Sequence, residues 1–362
     1  MQFSVANEAS ISSPALLIFS EAVERNLARR IAIAGGTERL RPHVKTHKLA
    51  PIIARQLALG ITKFKAATLA EAAMCATAGA ADVFVAYPLA GPSIARLCGL
   101  VAKFPATRFS ALADSPQAIR GLSVAARVAG VKLNVFLDLD CGMGRTGAML
   151  EKAAVLYRLI AESPALIPAG LHAYDGHIQE PLLDARRTAC DAAFAPVTAL
   201  RAALEKAGLP VPALVAGGTP TFHIHAAHAD RECSPGTGVL WDWGYAEKFP
   251  EQPFEFAACV LTRVVSKPGR DRITIDLGFK AVASENPLAM RVRIAELPDA
   301  VALMQSEEHL VLETAEAKNC YIGQTLHALP KHICPTVALY DEAWKIEHGE
   351  ATERWPVARG RG

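Results

Sequence analysis

Between residues 40 and 237 the chain alternates short apolar runs with longer alanine- and leucine-rich stretches, and each run ends on a polar tip. The runs are LRPHVK, KFKAAT, DVFVAY, RFSALA, LNVFLDLD, AGLHAY, LVAGG and ECSPG, eight in all, and they read as strands. Between them, Leu69 to Ala78, Ser115 to Ala129 and Val197 to Ala207 carry apolar residues at helical spacing with few breakers. Eight alternating units predict an α/β fold, a closed parallel (β/α)8 barrel with right-handed crossovers. A doubly wound open sheet is the alternative. The strand count and the polar residues gathered at the strand ends favour the barrel.

Beyond residue 248 the period changes. FEFAACVLTRVVS, DRITIDLGF, MRVRIAEL and EHLVLETA are alternating or β-branched and are separated by Pro, Gly and Asp, which predicts a β domain. The first apolar run, PALLIF at 14 to 19, precedes a helix for which Ser20 is the expected N-cap. The resulting division is a barrel over 13–247 and a β-rich domain over 1–12 and 248–362, with a charged tail from Glu347 expected to fray.

Composition narrows the classes. Hydrophobic residues make up 51% and charged residues 20%, which is globular, and 362 residues suffice for one large and one smaller domain. Net charge is only +2, with Lys and Arg interleaved with Asp and Glu, so neither a nucleic-acid groove nor a polybasic membrane patch is expected. The opening MQFSVANEASISS lacks a basic head and an apolar signal core, and no apolar run approaches a bilayer span. Eight cysteines without a CxxC pair suit reduced thiols. A cytoplasmic protein is the expectation.

The chemistry gathers at the predicted strand ends. Lys45 lies in Arg-Pro-His-Val-Lys-Thr-His-Lys, an amine between His43 and His47, where burial and neighbouring groups ease loss of a proton for Schiff-base formation. A solvated basic turn is the plainer alternative. The fifth run leads through two glycines to Arg145, and the sixth into His172-Ala-Tyr174-Asp-Gly-His177-Ile-Gln179-Glu180. Alternation turns Tyr174 inward if His172 is inward. The seventh run reaches Gly217-Gly218-Thr219-Pro-Thr221 and the eighth Ser234-Pro-Gly236-Thr237, positions where barrels bind phosphate through exposed backbone N–H groups. An amine for an aldehyde and a nest for a phosphate together point to pyridoxal 5'-phosphate. In Pro330-Lys-His332-Ile-Cys334-Pro335, an H-x-C pair on a strand would put both side chains on one face, which suits two ligands of one divalent metal; an edge strand flanked by prolines, with an unrelated His and Cys, is the plainer alternative. Two ligands leave open positions, so such a metal would be catalytic.

These segments resemble the metal-activated fold-type III pyridoxal-phosphate enzymes, the family of D-threonine aldolase, D-3-hydroxyaspartate aldolase and eukaryotic-type D-serine dehydratase, relatives of alanine racemase. The carriers are RPHVKTHK, ATLAEA, DCGMGRTG, AYDGHIQ, GGTPT, SPGT, SEEH and PKHICP, spread over nearly the whole chain. The resemblance implies an alanine racemase-type N-terminal barrel, with Lys45 on the cofactor aldehyde and Arg145 near its phenolic oxygen. It puts Tyr174 against the pyridine ring, Gln179 near substrate, Gly217, Gly218, Thr219, Gly236 and Thr237 at the phosphate, and His332 and Cys334 on the metal. Ser234 stands where alanine racemases place an arginine on the ring nitrogen. Glu180 stands where D-threonine aldolases carry a histidine, which makes His177, Glu180 or metal-bound water the base for a β-hydroxyl.

The implied reaction is retro-aldol cleavage of a D-β-hydroxy-α-amino acid to glycine and an aldehyde. The alternative is β-elimination to pyruvate and ammonia, and a remoter one is a non-catalytic cofactor carrier, which the C-terminal β domain argues against. Cys334 favours zinc over manganese or magnesium, although several aldolases of this kind use manganese. A homodimer is expected from the resemblance.

Overall fold

The structure, a computed structural model, describes residues 3–361. Residues 1, 2 and 362 of the expected β-rich domain lie outside the described residues. The chain divides into two compact units. One comprises Arg30–Lys45, Ala50–Gly236 and the stretch from Gly360; the other comprises the chain up to Arg29, Thr46–Leu49 and Thr237–Arg359.

In chain order the strands are β1 (Ala15–Phe19), β2 (Lys63–Ala66), β3 (Asp82–Val85), β4 (Arg108–Ala113), β5 (Leu133–Leu139), β6 (Leu166–Ala173), β7 (Leu214–Ala216) and β8 (Glu232–Cys233). Strands β2 to β8 form one parallel sheet in sequence order. The ring is completed by residues 40–43, which bridge Cys233 on one side through Leu40 and Lys65 on the other through His43. This stretch, expected as a regular first strand, makes only isolated bridges and then a 3-10 turn at Val44–Thr46. Pro42 supplies a carbonyl to Lys65 N–H but has no N–H of its own, which interrupts a ladder. The short eighth strand is likewise two residues long.

Helices α1 (Ser20–Ala34), α2 (Ala50–Ala58), α3 (Leu69–Thr77), α4 (Pro92–Lys103), α5 (Pro116–Val128), α6 (Leu150–Glu162), α7 (Leu183–Lys206) and α8 (Phe222–Ala226) alternate with these strands. The caps that the sequence offers are used: Thr68 and Ser115 accept the N–H groups of Glu71 and Ala118 at the starts of α3 and α5. Ser20 is not used in this way. Its hydroxyl instead donates to Ile346 O at 2.9 Å.

Inside the ring Phe84, Leu112, Phe136 and Val215 form an apolar plug, with the Phe84 and Phe136 rings 4.4 Å apart. Burial of each such side chain is worth about 1.5–3 kcal/mol. Beside the plug lies a charge cluster centred on the fully buried Arg41. Arg41 donates to Asp82 Oδ1 at 2.5 Å and to Glu232 Oε2 at 2.7 Å, and Lys63 and Arg108 add further contacts to the same two acids. Arg41 thus ties the closing segment to strands β3 and β8.

The other unit is built on β1 with β9 (Ala258–Ser266), β10 (Arg272–Ile275), β11 (Val292–Ile294), β12 (Val301–Gln305), β13 (Leu310–Glu313), β14 (Thr325–Pro330), β15 (Glu342–Glu347) and β16 (Glu350–Pro356). Strand β1 lies between β9, antiparallel, and β15, parallel. That pairing places PALLIF with the C-terminal strands, not within the 13–247 barrel. The tail does not fray from Glu347: it turns back as β16 and pairs with β15 from Glu350 to Pro356. Two further short helices, α9 (Trp243–Lys248) and α10 (Ile333–Val337), sit among these strands. All eight cysteines are free thiols. Among the described residues no helix is long and apolar enough to cross a membrane.

Candidate active site

Strand β6 supplies the centre of the site in the barrel unit. Period-two alternation turns His172 into the ring and carries Tyr174 to its mouth. Three cations surround the Tyr174 ring: Arg145 Cζ at 5.1 Å from its centroid, Lys65 Nζ at 5.7 Å and Lys45 Nζ at 6.0 Å. Lys45 is half-buried at the end of the closing segment, and its backbone N–H meets His43 Nδ1 at 3.3 Å. His47 Nδ1 likewise accepts Leu49 N–H at 3.0 Å. The two imidazoles flanking Lys45 therefore fold the turn that presents it.

Arg145 is held by a second turn. Asp140 Oδ1 accepts the N–H groups of Gly142 at 2.9 Å and Gly144 at 3.0 Å, and these backbone bonds hold its carboxyl below the usual range. Gly142 has φ +121°, and a Cβ there would come within 2.9 Å of His177 Nε2, so the turn and the exposed His177 share one space.

Opposite them lies the glycine-rich loop after β7. A Cβ on Gly217 would stand 2.3 Å from His225 Cδ2, and one on Gly218 would stand 2.9 Å from Tyr174 Cε2. Backbone can approach the His225 ring at Gly217 and the Tyr174 ring at Gly218 only because these residues lack side chains. Thr219 Oγ1 accepts Gly236 N–H at 3.1 Å, joining this loop to the one after β8. Two buried oxygens nearby in sequence have no hydrogen-bond partner among the described residues: Ser234 Oγ and Glu180 Oε2. Gln179 turns its amide back to Gly176 O at 2.9 Å.

Sequence reasoning missed what lies beneath Tyr174. Lys65, 3% exposed, contacts His172 Nε2 at 2.7 Å, and His172 Nδ1 contacts Asp138 Oδ1 at 2.6 Å. Thr146 donates to the other oxygen of Asp138 at 2.9 Å. Burial pushes the Lys65 amine down to about 7, with the charge of Lys45 adding to the effect. Burial and the neighbouring Lys65 also lower His172. The one available signal was two lysines in the strand KFKAAT.

A second buried group was also missed. Asp175 accepts from Thr221 at 2.9 Å and from His225 Nε2 at 2.8 Å, with Cys190 Sγ 3.7 Å away. Burial pushes Asp175 up, but the hydrogen bond and charge of His225 outweigh it and hold the carboxyl below its ordinary value. By donor type Asp175, Cys190 and His225 could hold a metal. However, His225 and Asp175 bond each other directly, and Arg231 meets His225 Nδ1 at 3.0 Å. Together these contacts make an anchor for the loop that carries Gly217 and Gly218.

In the strand-rich unit, His332 and Cys334 do not lie on a strand. Strand β14 ends at Pro330, His332 is the N-cap of α10 and Cys334 falls in its first turn. Asp242 accepts Ile333 N–H at 3.1 Å and so turns the chain, and Pro335 needs no hydrogen bond in the opening turn of a helix. The two side chains still meet. Burial works against both charged forms, but hydrogen bonding between them raises His332 to about 9 and lowers Cys334, which favours a thiolate. Glu285 holds His332 Nδ1 at 2.7 Å, and Thr46 Oγ1 lies 3.2 Å from Cys334 Sγ. Thr46 is the residue that follows Lys45 in the chain.

A barrel with a lysine amine, an aromatic ring and a glycine-lined loop at its mouth defines a fold-type III pyridoxal-phosphate enzyme. Residues 18–241 match the family model for the alanine racemase N-terminal domain, and the chain belongs to that family. Residues 257–345 match a putative serine dehydratase domain. A D-threonine aldolase of Arthrobacter sp. is 29% identical over 97% of this chain and 94% of its own length. A 3-hydroxy-D-aspartate aldolase of Paracoccus denitrificans is 28% identical over 98% and 94%. The crystal structure of D-threonine aldolase from Filomicrobium marinum superposes with a TM-score of 0.90 at 27% identity, covering 99% of this chain and 98% of that one. The protein is a pyridoxal-phosphate-dependent lyase, similar along nearly its whole length to an aldolase of D-threonine and an aldolase of 3-hydroxy-D-aspartate.

Proposed function

We propose that the enzyme cleaves a D-β-hydroxy-α-amino acid between its α and β carbons, giving glycine and an aldehyde, with a divalent ion as activator. The cofactor part of this reading rests on the three cations around Tyr174, with Gly218 against the same ring, and the cleavage part on the partnerless buried Glu180 Oε2 and the likeness to two aldolases. The cofactor fits these residues: an amine is available for its aldehyde, backbone lies open for its phosphate, and the orphaned Ser234 hydroxyl suits a ring nitrogen. When bound, pyridoxal phosphate supplies an aldehyde for covalent capture and a ring that stores the electrons of the broken bond.

The residues divide the remaining work. Lys45 would hold the aldehyde. Arg145 would face the phenolic oxygen and Tyr174 the ring, while Gly217, Gly218, Thr219, Gly236 and Thr237 would provide donors for the phosphate. Gln179 orients the substrate. Glu180, whose buried Oε2 has no partner, takes the proton from the β-hydroxyl, with His177 as the other candidate. His332 and Cys334 would hold the ion. A thiolate beside an imidazole suits zinc better than manganese or magnesium, and the ion would supply Lewis-acid polarisation of the hydroxyl. Solved structures of a D-threo-3-hydroxyaspartate dehydratase include a histidine-to-alanine variant and, two positions further on, a cysteine-to-alanine variant in a metal-free form.

That dehydratase, 24% identical over 97% of this chain, is also the reason to keep a second reading, β-elimination with Lys45 taking the α proton. Product analysis on D-threonine, D-3-hydroxyaspartate and D-serine, with and without chelator, separates them. Glycine with an aldehyde supports cleavage. A keto acid with ammonia from every substrate rules it out, and activity indifferent to chelation removes the metal.

A further inference from the structure

Lys65 has no role in the reaction outlined above, yet it is the most deeply buried of the three cations around Tyr174. Its surroundings are specific. Arg41 and Lys45 oppose its charge, Asp138 and Asp175 favour it, and His172 is in direct contact. Arg145 acts on His172 in turn. Because His172 Nδ1–H must donate to the Asp138 carboxylate, Nε2 is left as an acceptor, and Lys65 donates to it. A core lysine with only a structural duty would be expected to meet a carboxylate directly. Here the amine is one imidazole removed from its acid, so the amine and the imidazole share custody of a single proton.

We propose that Lys65 is a positioning residue of this lyase: seated on the Asp138–His172 pair beside Tyr174, it lends a second, switchable positive charge to the covalent link that Lys45 makes. This rests on the cofactor assignment above. With Lys65 protonated, a proton on the link is disfavoured by like charge. With Lys65 neutral, the link keeps its proton more readily. No bond to carbon is made or broken at Lys65, and its proton moves only between its own nitrogen, His172 Nε2 and solvent.

The test is a pH titration of the visible absorbance of the reconstituted holoenzyme. Lys65→Met is expected to raise the midpoint by about one pH unit. Lys65→Arg, which stays charged where the amine does not, is expected to lower it and serves as the decisive variant if Lys65→Met does not fold. A midpoint unchanged in the folded variants overturns the proposal, even if stability or cofactor affinity falls. A band that keeps one colour at every pH in the wild type and in both variants overturns it as well. Failure of the wild-type protein to gain any visible band with pyridoxal phosphate would instead overturn the cofactor assignment.

Discussion

The barrel contains the same arrangement twice. In one copy Lys65 donates to His172, His172 to Asp138, and Thr146 to the second oxygen of that acid. In the other Arg231 donates to His225, His225 to Asp175, and Thr221 to its second oxygen. The difference lies in the cation. A guanidinium stays charged at any pH a protein survives, so the Asp175 copy is locked and holds the glycine loop. An ammonium is a point charge whose proton burial can dislodge, so the Asp138 copy can change state at the foot of Tyr174.

The largest expected effect falls outside both copies and sets their scale. Lys45→Ala is expected to lower activity by about a thousandfold or more and to abolish the visible absorbance of the holoenzyme. An unchanged spectrum would remove the site on which the comparison rests. Next comes the locked copy. Asp175→Ala leaves His225 and Thr221 without their acceptor inside the barrel and is expected to cost about 3–5 kcal/mol in urea unfolding. The folded Asp175 carboxyl titrates below its unfolded value, so its contribution is complete above the unfolded value near 3.8 and is lost as acid reaches the folded one. Asp175→Asn should flatten that acid limb.

The switching copy has the opposite signature. Folded Lys65 loses its proton near 7 and the unfolded amine near 10.5, so between these values the unfolded chain binds more protons and the fold gains stability as pH rises. Compared with Lys65→Met, the wild type should therefore gain stability across that window, as read by denaturant titration at several pH values. A constant difference would make the two copies alike. The smallest effect is expected from Gly218→Ala, whose new methyl presses on the Tyr174 ring and should weaken pyridoxal-phosphate binding about tenfold, or 1.4 kcal/mol. Equilibrium titration of the cofactor checks this.

The alternation of apolar runs and helical stretches made the barrel legible because strands β2 to β7 pair in sequence order and are mostly buried. The sequence placed Tyr174 and the Gly217 loop next to strand ends, where β6 and β7 do stop, and Arg145 in the turn that follows β5. The first strand was not legible, since Pro42 and the Arg41 contacts replace a ladder with a clamp. The H-x-C pair was misread as a strand because Asp242, some ninety residues earlier, turns the chain into a helix there. Lys65 was invisible for a similar reason. A lysine on a strand reads as solvated until His172, 107 positions away, is known to receive it.

Arg41 gives the closing segment a particular mechanical character. Lys45 is presented by the seam of the ring, where four main-chain hydrogen bonds, from Arg41, His43, Lys65 and Cys233, and one sealed guanidinium do the work of a ladder. A seam fastened at a few points can shift as a piece without unravelling its neighbours. Under the role proposed for Lys45, the residue that would let go of one partner and grip another is thus mounted on a seam fastened at few points.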